Sequence, residues 1–168
     1  DQVFNFFNPV FWGAKDPDLF VDLMQIAAKQ TSAYHFADNM FVFQRNNSMF
    51  HDEPFVKSWN DNALSASDKG IVWRRYILAM AAYHCQHLEG DFVECGAYQG
   101  VGAKTVIDYL GGPAFAKTFW LYDVFEHSQE MVNHSMPEHG AQLFDQVKAR
   151  FKDYPRVNVI KGFLPDRK

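Results

Sequence analysis

The chain has 168 residues, of which 48% are hydrophobic and 21% charged, so it is long enough for one domain with a substantial core. The formal net charge of −4 argues against nucleic acid as a partner, and no run approaches the roughly 20 apolar residues of a membrane-spanning helix. The two cysteines, Cys85 and Cys95, do not form a Cys-x-x-Cys pair. We expect both to be reduced and packed as small apolar side chains in a cytoplasmic protein.

The first part of the chain is predicted to be helical or irregular and rich in aromatic residues. Asp16-Pro17 is typical of a helix start, and apolar residues then recur with helical period. A short extended segment is expected over 38–43, and a short helix over 53–60 with Pro54 in its first turn. The aromatic side chains of this part form either a lid over a binding site or an ordinary packed core: Phe41, Phe43, Phe50, Phe55 and Trp59.

A longer helix is predicted from Ser67-Asp68 to Gly90, because glycine commonly ends helices. Arg74 or Arg75 on this helix either pairs with surface groups or reaches the carboxylate of a ligand. We place the domain boundary before the helix, with an N-terminal segment over 1–66 and the main domain over 67–168. One broad apolar face of the helix is expected to be buried: Ile71, Ile77, Leu78, Ala81, Ala82, Cys85 and Leu88.

From residue 91 onwards, strand patterns alternate with helix patterns. Apolar runs that end near glycine or aspartate predict strands over 91–95, 118–122 and 157–160. Helices are expected over 100–110 and from Pro137-Glu138 onwards, the second with Leu143, Val147 and Phe151 at spacing four. The order predicts an α/β fold, the βαβαβ first half of a doubly wound, Rossmann-like parallel sheet with right-handed crossovers.

A glycine-rich segment, Glu94 to Gly102, stands where the first of these strands meets its helix. Gly96 permits a sharp turn, and Gly100 and Gly102 permit close approach of the backbone to a ligand at the helix N-terminus. The Glu94 carboxylate disfavours a pyrophosphate and suits a ligand with an ammonium group, such as S-adenosylmethionine. A nicotinamide site would show Gly-x-Gly-x-x-Gly instead.

Asp123 ends the second strand, 27 positions after Gly96. In a βαβ unit this point lies beside the first turn, at the edge of the sheet where ligands bind. Its carboxylate either accepts hydrogen bonds from both hydroxyls of a ribose or caps a turn. Together with the glycine segment, it predicts a nucleoside site.

Three segments resemble the macrocin O-methyltransferase family of class I methyltransferases: 90–96, 121–126 and 159–165. The resemblance covers roughly 73–166 and implies a seven-stranded Rossmann-like fold with S-adenosylmethionine as methyl donor. It also implies that Glu94, Gly96, Ala97, Tyr98 and Gly100 line the methionine part of the cofactor. Asp123 would hold the ribose with Val124 and Phe125 beside it, and Gly162 and Phe163 would approach the adenine.

Family members often use a divalent metal such as Mg²⁺, but its acidic ligands would lie beyond Lys168, and we expect the chain to be part of a longer enzyme. A loop with three histidines is a solvated polar segment, a metal site or the source of a substrate-facing base; their spacings do not fit a helical metal pair. The histidines are His127, His134 and His139, interleaved with Glu126, Glu130 and Glu138.

The sequence therefore predicts methyl transfer from S-adenosylmethionine to a hydroxyl of a small molecule, such as a sugar or natural product. The alternatives are a nicotinamide-dependent oxidoreductase and a non-catalytic nucleoside-binding module. We expect no nucleic acid or membrane partner, and a homo-oligomer stays open.

Overall fold

A computed structural model describes residues 4–10, 12–131 and 135–163. These residues form six α-helices and two small β-sheets, and the chain divides into two compact units, 1–80 and 81–168. The helices are α1 (Pro17–Lys29), α2 (Glu53–Asn62), α3 (Ala66–Gly70), α4 (Val72–Cys85), α5 (Val101–Tyr109) and α6 (Leu143–Arg150). The strands are β1 (Phe6–Phe7), β2 (Tyr34–Ala37), β3 (Met40–Phe43), β4 (Phe92–Cys95), β5 (Phe119–Asp123) and β6 (Val157–Lys161).

The first unit contains a three-stranded sheet in the order β1-β2-β3, which the sequence analysis predicted only over 38–43. β1 pairs parallel to β2, and β2 and β3 form an antiparallel hairpin. The hairpin turns at Asp38-Asn39, where both residues have positive φ of 51° and 59°. Aspartate and asparagine tolerate this left-handed conformation better than most residues, which explains why the chain reverses there.

The cap predicted at Asp16 for α1 is confirmed, and α2 has a cap of the same kind at Asp52. Asp16 accepts a hydrogen bond from the Leu19 backbone N–H at 3.0 Å, and Asp52 accepts one from Phe55 N–H at 3.2 Å. Each carboxylate satisfies a backbone donor that the first helical turn leaves without an intrahelical partner.

Aromatic packing forms much of the core of the first unit. Phe55 and Trp59 are buried and stack with ring centroids 6.3 Å apart, whereas Phe43 is exposed. Of the two interpretations of these aromatic residues, a lid or a packed core, the packed core is therefore confirmed for Phe55 and Trp59.

The long helix predicted from Ser67-Asp68 to Gly90 is two helices, α3 and α4, and α4 ends at Cys85. The predicted apolar face is confirmed at Ala82, which is buried, but it is wrong at Ile77 and Leu78, which are 48% and 39% exposed. Val72 and Ala79, outside that face, are buried instead. Apolar residues occur around much of α4, so its hydrophobic period does not single out the buried side.

The second unit contains a parallel sheet of three strands, as the strand patterns predicted, and their order in the sheet is β4-β5-β6. Helices α5 and α6 contribute to one core with the sheet. The buried residues of this core include Val106, Ile107, Phe119, Leu121, Leu143, Val147 and Phe151. The spacing of four along α6 is thus confirmed as a buried stripe.

The cysteines are free but exposed, so the expectation that they pack as small apolar side chains is wrong. Along β4, Phe92 and Glu94 are half-buried, whereas Val93 and Cys95 are exposed. Because side chains alternate along a strand, Cys95 projects from the opposite face to the one that carries Glu94.

Helix α6 begins at Leu143, not at Pro137-Glu138 as predicted. Residues 137 and 138 belong to a turn, in which His139 N–H donates to the Met136 carbonyl at 3.0 Å. Proline followed by glutamate suits a first helical turn, but it suits this turn as well. Because a turn stands where the first helical turn was predicted, His139 lies next to the edge of the sheet.

Candidate functional site

The glycine segment bends sharply over the carboxyl end of β5. Gly96 has φ of +84°, and the backbone N–H groups of Gly96 and Ala97 both donate to the Tyr122 carbonyl, at 2.8 and 3.1 Å. Gly100 N–H donates to the Ala97 carbonyl at 2.7 Å and so closes the bend. The segment is therefore fixed to the neighbouring strand before α5 begins.

Two glycines of the bend have different surroundings. A Cβ atom at Gly96 would meet no atom within 4 Å, so space is open beside it. At Gly100, with φ of +72°, a Cβ atom would lie 2.8 Å from Phe151 Cε2. Gly96 thus leaves room for a ligand, whereas Gly100 allows close packing with the ring of Phe151.

The carboxylate of Asp123 connects the bend to the end of β5. Oδ2 accepts a hydrogen bond from Tyr98 N–H at 2.6 Å, and Oδ1 accepts one from Phe125 N–H at 2.8 Å. Tyr98 and Phe125 both have positive φ, of 48° and 58°, which costs energy for residues with a Cβ. Asp123 therefore caps two strained backbone positions. This confirms the interpretation of Asp123 as a turn cap, which was one of the two predicted from the sequence.

Glu94 and Asp123 lie at the same edge and on the same face of the sheet. Glu94 is in register with Leu121, two positions before Asp123 on β5. Side chains two apart on a strand share a face, and parallel strands end at one edge. The two carboxylates predicted to act together are thus neighbours on adjacent strands.

His139 covers the carboxylate of Asp123. Its Nε2 lies 3.9 Å from Asp123 Oδ1, and the two side chains are only 8% and 7% exposed. Its Nδ1 accepts a hydrogen bond from Met136 N–H at 3.1 Å, which in the neutral ring leaves the proton on Nε2, facing Asp123. The expectation of a solvated loop is wrong for this side chain.

Two aromatic rings flank His139. The Tyr98 ring meets it nearly at right angles with centroids 5.4 Å apart, and the His127 ring lies parallel to it at 6.1 Å. His134 lies outside the described residues. No group of three or more potential metal ligands occurs within the described ranges.

The remaining predicted site residues occupy varied surroundings. The side chains of Ala97 and Phe125 belong to the core, the latter with its ring centroid 5.3 Å from that of Phe144, so these side chains do not face open space. Val124 is half-buried and Phe163 is 44% exposed. Gly162 N–H donates to the Asp123 carbonyl at 2.9 Å, which brings the end of β6 to the same edge.

Lys161 and Glu126 form an ion pair beside this edge, with Nζ and Oε1 2.5 Å apart. This ion pair was not predicted from the sequence. It could have been predicted, because Lys161 ends β6 and Glu126 follows β5, and neighbouring parallel strands end at the same edge of a sheet.

The two arginines considered as ligand contacts have partners within the first unit. The Arg75 guanidinium lies 3.7 Å from Asp68 Oδ1, and that of Arg74 lies 5.4 Å from the centre of the Trp12 ring. These contacts agree with the interpretation that the two arginines pair with neighbouring protein groups and not with the carboxylate of a ligand.

A second polar cluster lies near the amino end of β6. Lys104 Nζ donates to Asp108 Oδ2 at 2.6 Å, and Tyr154 O–H donates to Asp108 Oδ1 at 2.5 Å. Each group pairs with the others, so the cluster ties α5 to the segment that follows α6.

An open cavity of about 470 Å³ lies in the first unit. One lysine lines it together with amide, hydroxyl and apolar side chains, and this combination does not indicate a particular reaction. The lining residues are Asn5, Phe7, Gln25, Ala28, Lys29, Thr31 and Tyr34.

No family model, no curated protein and no solved structure matches the chain. None of the helices in the described ranges combines the length and apolar character needed to cross a membrane. Any function assigned to the chain therefore depends on the geometry of the sheet edge.

Proposed function

We propose that the chain is an S-adenosylmethionine-dependent methyltransferase with a Rossmann-like fold that methylates a hydroxyl of a small molecule. The observation that carries the proposal is the arrangement at one edge of the parallel sheet. There, a glycine bend after β4 is hydrogen-bonded to the end of β5, with Glu94 and Asp123 on the same face. Ligands of doubly wound sheets bind at this edge.

Each part of the edge has a role in this proposal. The Glu94 carboxylate would attract the ammonium group of the methionine part, and the Tyr98 ring would lie near the sulfonium, since aromatic faces attract cations. Asp123 would accept hydrogen bonds from the ribose hydroxyls. The bound S-adenosylmethionine supplies an activated methyl group, and the protein orients it towards the acceptor oxygen.

The described residues fit this cofactor in part. Open space beside Gly96 and an acidic residue at the preceding strand suit the methionine part. The ribose part fits less well, because the side chain of Asp123 is only 7% exposed beneath His139. We assign no residue as the base that removes the acceptor proton.

A nicotinamide-dependent oxidoreductase is the second candidate, because an acidic residue at the end of the second strand also suits the ribose of NAD. Glu94 opposes this assignment, because the pyrophosphate of NAD would lie near its negative charge. The spacing Gly-x-x-x-Gly-x-Gly also departs from the dinucleotide pattern.

Isothermal titration calorimetry of the full chain with S-adenosylhomocysteine and with NAD tests the proposal. We expect S-adenosylhomocysteine to bind and NAD to give no heat of binding. Glu94→Gln should weaken S-adenosylhomocysteine binding by about ten- to a hundredfold, because a charge-assisted hydrogen bond contributes about 1.5–3 kcal/mol. Adenosine lacks the ammonium group, so its affinity should not change.

Asp153→Asn is a matched control, since this carboxylate is exposed in the turn after α6. Binding of NAD with no heat from S-adenosylhomocysteine would reject the methyltransferase proposal in favour of the oxidoreductase. No binding of either ligand would also reject it.

A further inference from the structure

The carboxylate of Asp123 has acceptor capacity left after its backbone hydrogen bonds. Each oxygen accepts one backbone N–H, from Tyr98 or Phe125, and a carboxylate can accept about four hydrogen bonds in all. The edge of His139 lies 3.9 Å from Oδ1 and leaves the side chain 7% exposed. A ribose therefore cannot reach the remaining positions while the ring of His139 stays there.

We propose that His139 and the ribose of a nucleoside compete for the same position above Asp123, so that binding displaces the turn Met136–Gly140. This inference rests on the proposed function. It assigns to His139 the regulation of access to the cofactor site.

The described hydrogen bonds of the turn are compatible with such a displacement. Two of them are internal, His139 N–H to the Met136 carbonyl and Met136 N–H to His139 Nδ1. A third, Gly140 N–H to the Phe125 carbonyl at 3.1 Å, attaches the turn to the segment after β5, and a fourth, Leu143 N–H to the Gly140 carbonyl at 3.1 Å, attaches it to the start of α6. Residues 135–138 are exposed, so moving them uncovers little core.

The bonds that fix Asp123 do not involve the turn. They come from Tyr98 on the bend and from Phe125 two residues after β5, whose carbonyl, not its N–H, holds the turn. Asp123 thus keeps its orientation when His139 leaves, and its free acceptor positions become available to two hydroxyls.

Calorimetry with S-adenosylhomocysteine and adenosine tests the inference on the full chain and on His139→Ala. The apparent affinity of a covered site is reduced by the fraction of open molecules, and minor states are commonly populated at about 0.1–10%. We therefore expect His139→Ala to bind both ligands about tenfold or more tightly than the unchanged chain. His139→Phe keeps the bulk of the ring and should not show this gain.

His87→Ala is the matched control, because His87 is exposed in the turn after α4. Equal or weaker binding by His139→Ala, when the unchanged chain binds S-adenosylhomocysteine, would overturn the inference and leave the proposed function intact. If neither chain binds S-adenosylhomocysteine, the proposed function fails and the inference with it.

A second measurement needs no substitution. Saturating S-adenosylhomocysteine should speed amide hydrogen exchange at Gly140 and His139, because the turn would open, while Gly96 and Tyr98 should exchange no faster. Slower exchange at Gly140 on binding would show that the turn closes on the ligand, which contradicts the competition.

Discussion

Asp123 combines a structural task with the chemistry expected of a binding residue. It accepts hydrogen bonds from two backbone N–H groups whose residues have positive φ, and it lies at the sheet edge where ligands of such folds bind. Its position at the end of β5 was predictable from the sequence. The two backbone bonds were not, because they depend on left-handed conformations of Tyr98 and Phe125, which residues of these types seldom adopt.

His139 shows the limit of sequence reasoning for a single side chain. Its neighbours are polar and exposed, so the pattern favours a solvated loop. The ring is nevertheless buried because a turn rather than a helix follows Pro137 and points it at Asp123. Such a tertiary contact leaves no periodic trace in the sequence.

His35 on β2 is 1% exposed, and neither ring nitrogen has a hydrogen-bond partner among the described residues. Burial lowers the pKa of His35 below its usual 6.5, so in more acidic solution the unfolded chain binds a proton that the folded chain excludes. Stability should therefore fall as the pH drops from about 7 towards 5, by up to about 1.4 kcal/mol per pH unit, until the pH reaches the lowered pKa.

Urea unfolding of the unchanged chain and of His35→Leu across this range measures the effect. The variant should lose this part of the pH dependence whatever its absolute stability. Asp38 does not confound the comparison: burial raises the pKa of its carboxyl, but both chains share it. Identical pH profiles would show that His35 is protonated equally in the folded and unfolded states.

At the scale of elements, the bend between β4 and α5 depends on the contact between Gly100 and Phe151. Gly100→Ala should lower the free energy of unfolding by about 2–5 kcal/mol, because a positive φ costs about 1–2 kcal/mol and overpacking a core adds about 1–3. Phe151 is 4% exposed and cannot easily move aside. Urea denaturation measures the difference.

Gly96→Ala serves as the control for this prediction. Its φ is also positive, but a Cβ atom there meets open space, so the expected loss is only about 1–2 kcal/mol. Equal losses for the two variants would contradict the packing role of Gly100.

The strands and helices of the second unit were mostly predictable, because apolar runs bounded by glycine, proline and aspartate repeat there. The errors have physical causes. Helix α4 is apolar on several sides, so its buried face was misjudged. The pairing of β1 with β2 joins residues about 30 positions apart, and such contacts do not show in local periodicity.

At the scale of the whole molecule, the sequence predicted the three parallel strands and the edge at which Glu94 and Asp123 lie. It did not predict the sheet of the first unit, because β1 and β2 are short and their pattern is aromatic rather than alternating. What the fold contributes to the proposed function is the meeting of the ends of β4, β5 and β6, where Gly162 N–H donates to the Asp123 carbonyl.

The most direct test of the account is a titration of the ¹⁵N-labelled chain with S-adenosylhomocysteine, followed by ¹H–¹⁵N correlation spectra. If the nucleoside binds at this edge, the amide signals of Gly96, Tyr98 and Gly162 should shift together with one binding constant, and NAD should leave them unchanged. Saturable binding that does not move these three signals would contradict the assignment of the site.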